Sequence, residues 1–272
     1  MLKNFITGLI AAVMFNLSDS SLAATLSIGG TGAGLGTIQQ LGEAFHKRFP
    51  STRVEVHPSV GSTGGIRAVI AGKLDIGISA RPLKTEELGQ GITESPYAKT
   101  PFVFAVKKNL AQTELAFNEV IGIYDGSLSR WKDGSAIRVI LRPATESDTL
   151  LLQQFIPGMD VAMEKAYKRR GPPLAVTDQD TADKIQKIAG AVGSSTLALI
   201  LGENRPLKAL ALNNVPATVE NMANGTYPMS KTLSLVTATN PGKEVQNFID
   251  FIRSGEGSAI LSRTGHLVLK PN

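Results

Sequence analysis

From Ala24 onward the chain alternates between short apolar runs and stretches whose apolar residues recur every three or four positions. ATLSIGG (24–30) reads as a buried strand ending on glycine. Leu35, Ile38, Leu41, Phe45 and Phe49 then share one helical stripe, which Pro50 ends. RVEVHPSV (53–60) alternates as a strand does, IRAVIAGK (66–73) carries a short helix, and LDIGIS (74–79) is a further strand. This β-α-β-α-β order predicts a parallel sheet flanked by helices. Further along, PFVFAVKK (101–108) and AIRVILR (136–142) read as strands, with a helix-turn region over 115–134 between them and a helix from about Asp148 to Phe155 after them. KIQKIAGAVGSSTLALIL (184–201) pairs a helix with a glycine turn and an apolar strand, and 204–231 is loop-rich. TLSLVTA (232–238) is a strand, EVQNFIDFIRS (244–254) an amphipathic helix, and SAILSRTGHLVL (258–269) a small closing element. There is no internal repeat and no low-complexity tract.

The first residues follow a different pattern. Lys3 precedes an apolar run, FITGLIAAVMF (5–15), and Ser21-Leu22-Ala23 places small residues where a signal peptidase reads them. The run is shorter than the roughly 20 residues a membrane span needs. The expectation is a secretory signal over residues 1–23 and a soluble, periplasmic mature chain. With no cysteine, the chain has no lipid anchor at the cleavage site and no disulfide. At 272 residues and 42% hydrophobic, its core alone can carry stability. The net charge of +5 suits an anionic partner. Its Lys and Arg are dispersed and not interleaved with aromatics, which argues against nucleic acid.

Three turns follow a strand and precede a helix: Gly29 to Gly36, Gly61 to Gly65, and Arg142 to Thr149. Ligands of open parallel sheets sit at such strand ends. A helix start leaves its first backbone N–H groups unpaired and its dipole favours negative charge. Glycine admits close approach, and Ser62, Thr63, Ser147 and Thr149 add hydroxyl donors. Ordinary capping accounts for any one of these turns; three in equivalent places point to a bound anion. Micromolar affinity needs about 8 kcal/mol, and one hydrogen bond to a charged group supplies roughly 1.5–3 kcal/mol. Several segments must therefore contribute, and Arg142 at a strand end could grip two oxygens of an oxyanion. Competing motifs fail. No set of glycines in GGTGAGLG has the G-x-G-x-x-G spacing, and Ser129-Arg130-Trp131-Lys132 lacks the later motifs of acyl enzymes. His46, His57 and His266 show no metal spacing. Neither an enzyme, a metal nor a cofactor is expected.

The stretch VGSTGGIRAVIAGKLDIGISARPL (60–83) resembles the periplasmic phosphate-binding proteins of ABC importers. The likeness continues in GGTGAGLG, IYDGSLSRWKDGS, LRPATESDT, GAVG and the YPMSKTLSLV…FIDFIRSGEGSAIL block. The resemblance implies an α/β, type II periplasmic-binding-protein fold: two hinged lobes, each a mostly parallel sheet flanked by helices, closing on an anion. Lobe 1 would span 24–104 and 232–272, and lobe 2 would span 105–231. The family's binding positions fall on Gly34, Leu35, Ser62, Arg142, Ser147, Asp148 and Thr149, with Thr63 and Arg81 beside them. At Gly34-Leu35 a hydroxyl is lost, and at Ala80 the family's proton-accepting aspartate is missing, so Asp148 or Glu146 becomes the alternative acceptor. The resemblance implies a monomeric receptor that hands inorganic phosphate to an inner-membrane ABC permease. Sulfate, molybdate, tungstate or a phosphonate is the alternative ligand, and an exported oxyanion sensor uncoupled from transport is the alternative role. A periplasmic hydrolase using His57 is a third reading.

Overall fold

A computed structural model of the chain describes residues 24–270. The expected signal segment lies outside the described residues. The chain begins with β1 (Ala24–Gly30), α1 (Gly32–Arg48), β2 (Thr52–Val56), α2 (Gly61–Ile70) and β3 (Ile76–Ser79), then enters the 16-residue β4 (Ile92–Lys107). Next come β5 (Glu114–Leu115), α3 (Phe117–Asp125), β6 (Arg138–Val139), α4 (Ser147–Phe155), α5 (Met159–Lys168), α6 (Asp178–Lys187) and β7 (Ala191–Thr196). α7 (Leu197–Gly202), β8 (Leu207–Ala209), β9 (Ala211–Leu212) and α8 (Val219–Ala223) follow. The chain returns through β10 (Ser230–Ala238), α9 (Lys243–Arg253), α10 (Gly255–Arg263) and β11 (Leu267–Val268).

One sheet runs through the molecule in the order β2-β1-β3-β10-β4-β7-β6. The pairs β1–β2, β1–β3 and β6–β7 are parallel, as the alternating pattern predicts. Between them β10 and β4 run antiparallel to their neighbours. β4 crosses from one lobe to the other. Its first part pairs with β10 (Pro101 with Ser230 through Ile92 with Ala238), and its last part pairs with β7 and β8. Each lobe buries its own apolar cluster. One holds Ile28, Ile38, Leu41, Phe45, Ile78, Leu233 and Phe248; the other holds Phe102, Phe104, Ile123, Ile140, Leu152, Ile185 and Met229.

The structure differs from the sequence pattern in instructive places. β4 begins at Ile92, nine residues before the expected strand, although Pro96 lies within it. The ladder shifts register between Leu233 and Ser234, opposite Pro96, and a bulge is where a strand tolerates a residue with no N–H. α2 starts at Gly61, so the glycines expected to form a turn make the helix's first turns. A Cβ on Gly65 would stand 2.7 Å from the Gly30 Cα. Hydrogen is all that fits there, and α2 thereby lies directly on the end of β1.

Candidate functional site

α2 and α4 point their N-termini at one cleft of about 500 Å³ between the lobes. Lobe 1 lines it with Ser62, Thr63, Ala80, Arg81, Pro82 and Lys84. Lobe 2 lines it with Ala144, Thr145, Glu146, Ser147 and the α4 residues Leu150, Leu151 and Gln154. The N-cap residue of neither helix, Val60 or Glu146, supplies a side-chain cap; only the Gly61 N–H reaches a side chain, Ser59 Oγ at 3.5 Å. The backbone N–H groups of Ser62, Thr63, Ser147, Asp148 and Thr149 have no acceptor among the described residues.

The hydroxyls are aimed by what they accept. The Ala80 N–H donates to Ser62 Oγ at 2.9 Å, and Arg81 Nη2 donates to Thr63 Oγ1 at 3.1 Å. Each oxygen thus has a lone pair engaged, and each hydroxyl hydrogen has no acceptor among the described residues. Ser62 is only 7% exposed, so its unused donor faces the cleft from a buried position. Arg81 lines the cleft, but its guanidinium is committed to Glu87 through Nη1–Oε2 and Nη2–Oε1 bonds of 2.8 and 2.7 Å. That hydrogen-bonded pairing holds the Glu87 carboxyl down at about 2. The charge of Arg81 reaches the cleft through the Thr63 hydroxyl.

The second-lobe charges lie beneath α4. Arg142 is buried. It donates from Nη1 to the Ala175 carbonyl at 3.1 Å, with Glu146 3.5 Å from Nη2 and Asp148 3.9 Å from Nε. Asp148 is 1% exposed, and its carboxylate accepts from Lys231 Nζ and, at 2.7 Å, from Ser194 Oγ. Burial works against its charge, but Lys231 and Arg142 outweigh burial and hold the carboxyl below its ordinary range. Lys231 has 0% side-chain exposure, stands 3.9 Å from Asp178, and lies 5.0 Å over the Phe102 ring. Thr149 spends its hydroxyl on the Pro143 carbonyl at 2.9 Å. Arg142, Asp148 and Thr149 thus stand behind the cleft wall and do not line it; of the binding positions expected in lobe 2, Ser147 alone does. Glu146 is the carboxylate that lines it, with Oε1 3.8 Å from where a Cβ on Gly61 would lie.

The first glycine turn is placed elsewhere. Gly34 and Leu35 sit inside α1 and do not line this cleft. A Cβ on Gly34 would meet the Tyr97 hydroxyl at 2.9 Å, and Leu35 faces a separate groove that also holds His57. The glycines serve contact between lobes. A Cβ on Gly32 would stand 1.9 Å from Gln179 Oε1, and one on Gly36 would stand 2.5 Å from Glu203 Cγ. Thr31 caps α1 and donates to Asp178 across the boundary at 3.2 Å, while Gln179 donates to the Gly32 carbonyl at 3.1 Å. Sequence reasoning missed Lys231, yet its signal was available. On β10 it shares a side with Leu233 and Leu235, so a strand pattern puts a charge in the core.

A helix-flanked sheet in two lobes, with unpaired donors converging from both, defines a ligand-binding protein of the hinged two-lobe class. A family model described as a PBP superfamily domain matches residues 18–256, and the chain belongs to that superfamily. It is 23% identical to the "Phosphate-binding protein PstS" of Borreliella burgdorferi over 96% of both chains. It is also 23% identical to "Protein SphX" of Synechococcus elongatus, over 91% of this chain and 79% of that one. Among solved structures, it superposes with a TM-score of 0.76 on a putative phosphate ABC transporter substrate-binding protein of Clostridium perfringens with bound phosphate. That alignment has 24% identity and covers 90% of this chain and 100% of the other. An ABC-type phosphate transport receptor of Vibrio cholerae gives a TM-score of 0.60 at 21% identity, covering 89% and 99%. Among the described residues no helix is long and apolar enough to cross a membrane.

Proposed function

We propose that this chain is an exported solute-binding protein that captures a tetrahedral oxyanion of the phosphate type between its lobes and delivers it to an ABC permease without catalysing a reaction. One observation carries the reading: the buried Ser62 hydroxyl, its oxygen already accepting from Ala80, has only the cleft to donate to. Thr63, Ser147 and the free amides of both helices surround the same space, and an ion with oxygens on all sides uses donors from both walls. The relatives' names agree with this reading. The division of the lobes at 104/105 and 231/232 belongs to it. The apolar clusters part between Met229 and Leu233, which supports the second boundary, and between Ala98 and Phe102, which draws Phe102, Val103 and Phe104 to the second lobe and moves the first boundary a few residues earlier. Glu146 takes the proton of hydrogen phosphate, since Asp148 is saturated by Lys231 and Ser194 and Ala80 has no acceptor.

Titration calorimetry with phosphate, sulfate, molybdate and tungstate tests the reading. Phosphate should bind, and Glu146→Gln should erase its preference over sulfate, since a site that satisfies a ligand O–H rejects the ion lacking it. Heat from none of the four ions would overturn it.

A further inference from the structure

The cleft is larger and more apolar than a bare oxyanion requires. Ser147, Leu150, Leu151 and Gln154 all line it, and they fall at i, i+3, i+4 and i+7 of α4, so one face of that helix forms the wall. Only the first of these residues stands with the donors. Seven residues of helix advance roughly 10 Å, and the wall passes from hydroxyl to two leucines and then to an amide. Opposite stand the Ala80 side chain and Pro82, with Lys84 also on the lining. Phosphate has five non-hydrogen atoms. Even at about 30 Å³ each, the share a water takes in the liquid, it needs roughly 150 Å³, against about 500 Å³ in the cleft.

Of the three leucines of α4, Leu152 is buried in the lobe 2 core and Leu151 packs partly against it, whereas Leu150 is 54% exposed. An apolar side chain left in water on a cleft wall, beside donors that have no acceptor, marks the place where an apolar part of the ligand lies.

We infer that the preferred ligand is a phosphoryl anion carrying one organic arm, a phosphonate or phosphate monoester, with its oxygens on Ser62, Thr63 and Ser147 and its arm along Leu150 and Leu151. This rests on the oxyanion-binding reading and narrows its ligand. The arm takes one tetrahedral position, and the remaining oxygens keep the donors of both helices.

Calorimetry on the full mature chain with inorganic phosphate, methylphosphonate and n-butylphosphonate tests this. Each methylene buried on the leucines should tighten binding about four-fold, so butylphosphonate should bind roughly fifty-fold tighter than methylphosphonate and also tighter than phosphate. Leu150→Ser, at an exposed position that leaves the fold intact, should remove most of the chain-length gain. Phosphate binding tighter than both phosphonates, or a chain-length gain indifferent to Leu150→Ser, overturns the organic arm and leaves the oxyanion receptor standing. Binding of none of the three ions overturns both.

Discussion

Along one stretch of the boundary between the lobes, α1 meets α6 and α7; along another, α2 faces α4 across the cleft. Helix N-termini lie in both places. At the first, Thr31 and Thr177 cap their helices, Thr31 bonds Asp178, and Gly32 and Gly36 leave no room for a Cβ. At the second the amides of Ser62, Thr63, Ser147, Asp148 and Thr149 have no acceptor among the described residues, and the hydroxyls of Ser62 and Thr63 receive hydrogen bonds without donating any. A helix start is a potential anion site wherever it occurs. Whether the protein closes it with its own side chains decides if it becomes a joint or a receptor.

Three perturbations separate the joint from the receptor. The largest effect should follow loss of Lys231, which neutralises buried Asp148 at the junction of both regions. Lys231→Ala should cost about 3–5 kcal/mol in denaturant unfolding, because it strands a buried carboxylate. The exposed Lys84→Ala should change stability by less than about 0.5 kcal/mol. Equal effects of the two would mean that the buried pair does not hold the lobes. Next in size is a contrast between two hydroxyls. Ser62→Ala should weaken phosphate binding roughly ten- to hundred-fold, the worth of one bond to a charged group, and should also cost about 1 kcal/mol of stability because the Ala80 N–H loses its acceptor. Thr31→Ala should cost about 1 kcal/mol of stability through the lost cap but leave affinity within about two-fold. If Thr31→Ala abolished binding instead, the capped side would belong to the receptor. The smallest effect concerns acid. The Glu87 carboxyl is depressed from 4.5 to about 2 by Arg81, so its contribution is intact above pH 4.5 and lost as pH falls towards 2. Over that window Glu87→Gln should lose less stability than the natural chain; matching slopes would show that the pair does not brace the cleft wall.

The repeating strand-helix order was legible because strict alternation and three-to-four spacing leave few choices. Ser62, Thr63 and Ser147 were legible as donors for the same local reason: hydroxyls at a helix start. Gly34 and Leu35 were misplaced since glycine looks alike whether it admits a ligand or a neighbouring helix. Only the facing residues distinguish the two, Tyr97 and Leu233 at Gly34 and Gln179 and Glu203 at its neighbours Gly32 and Gly36, and they lie far along the chain. Arg142 and Asp148 were found in sequence, but their burial with Lys231 depends on a strand that arrives much later. The early start of β4 was hidden by Pro96, which reads as a breaker until the pairing with β10 leaves Tyr97 as the extra residue of a bulge beside it.

β10 occupies the slot between β3 and β4, pairing with both. Until residues 230–238 have been synthesised that slot stays open, and β3 and β4 each present an unpaired edge. The sheet of the first lobe therefore cannot close during most of the chain's synthesis, and it is completed only when almost the last segment arrives.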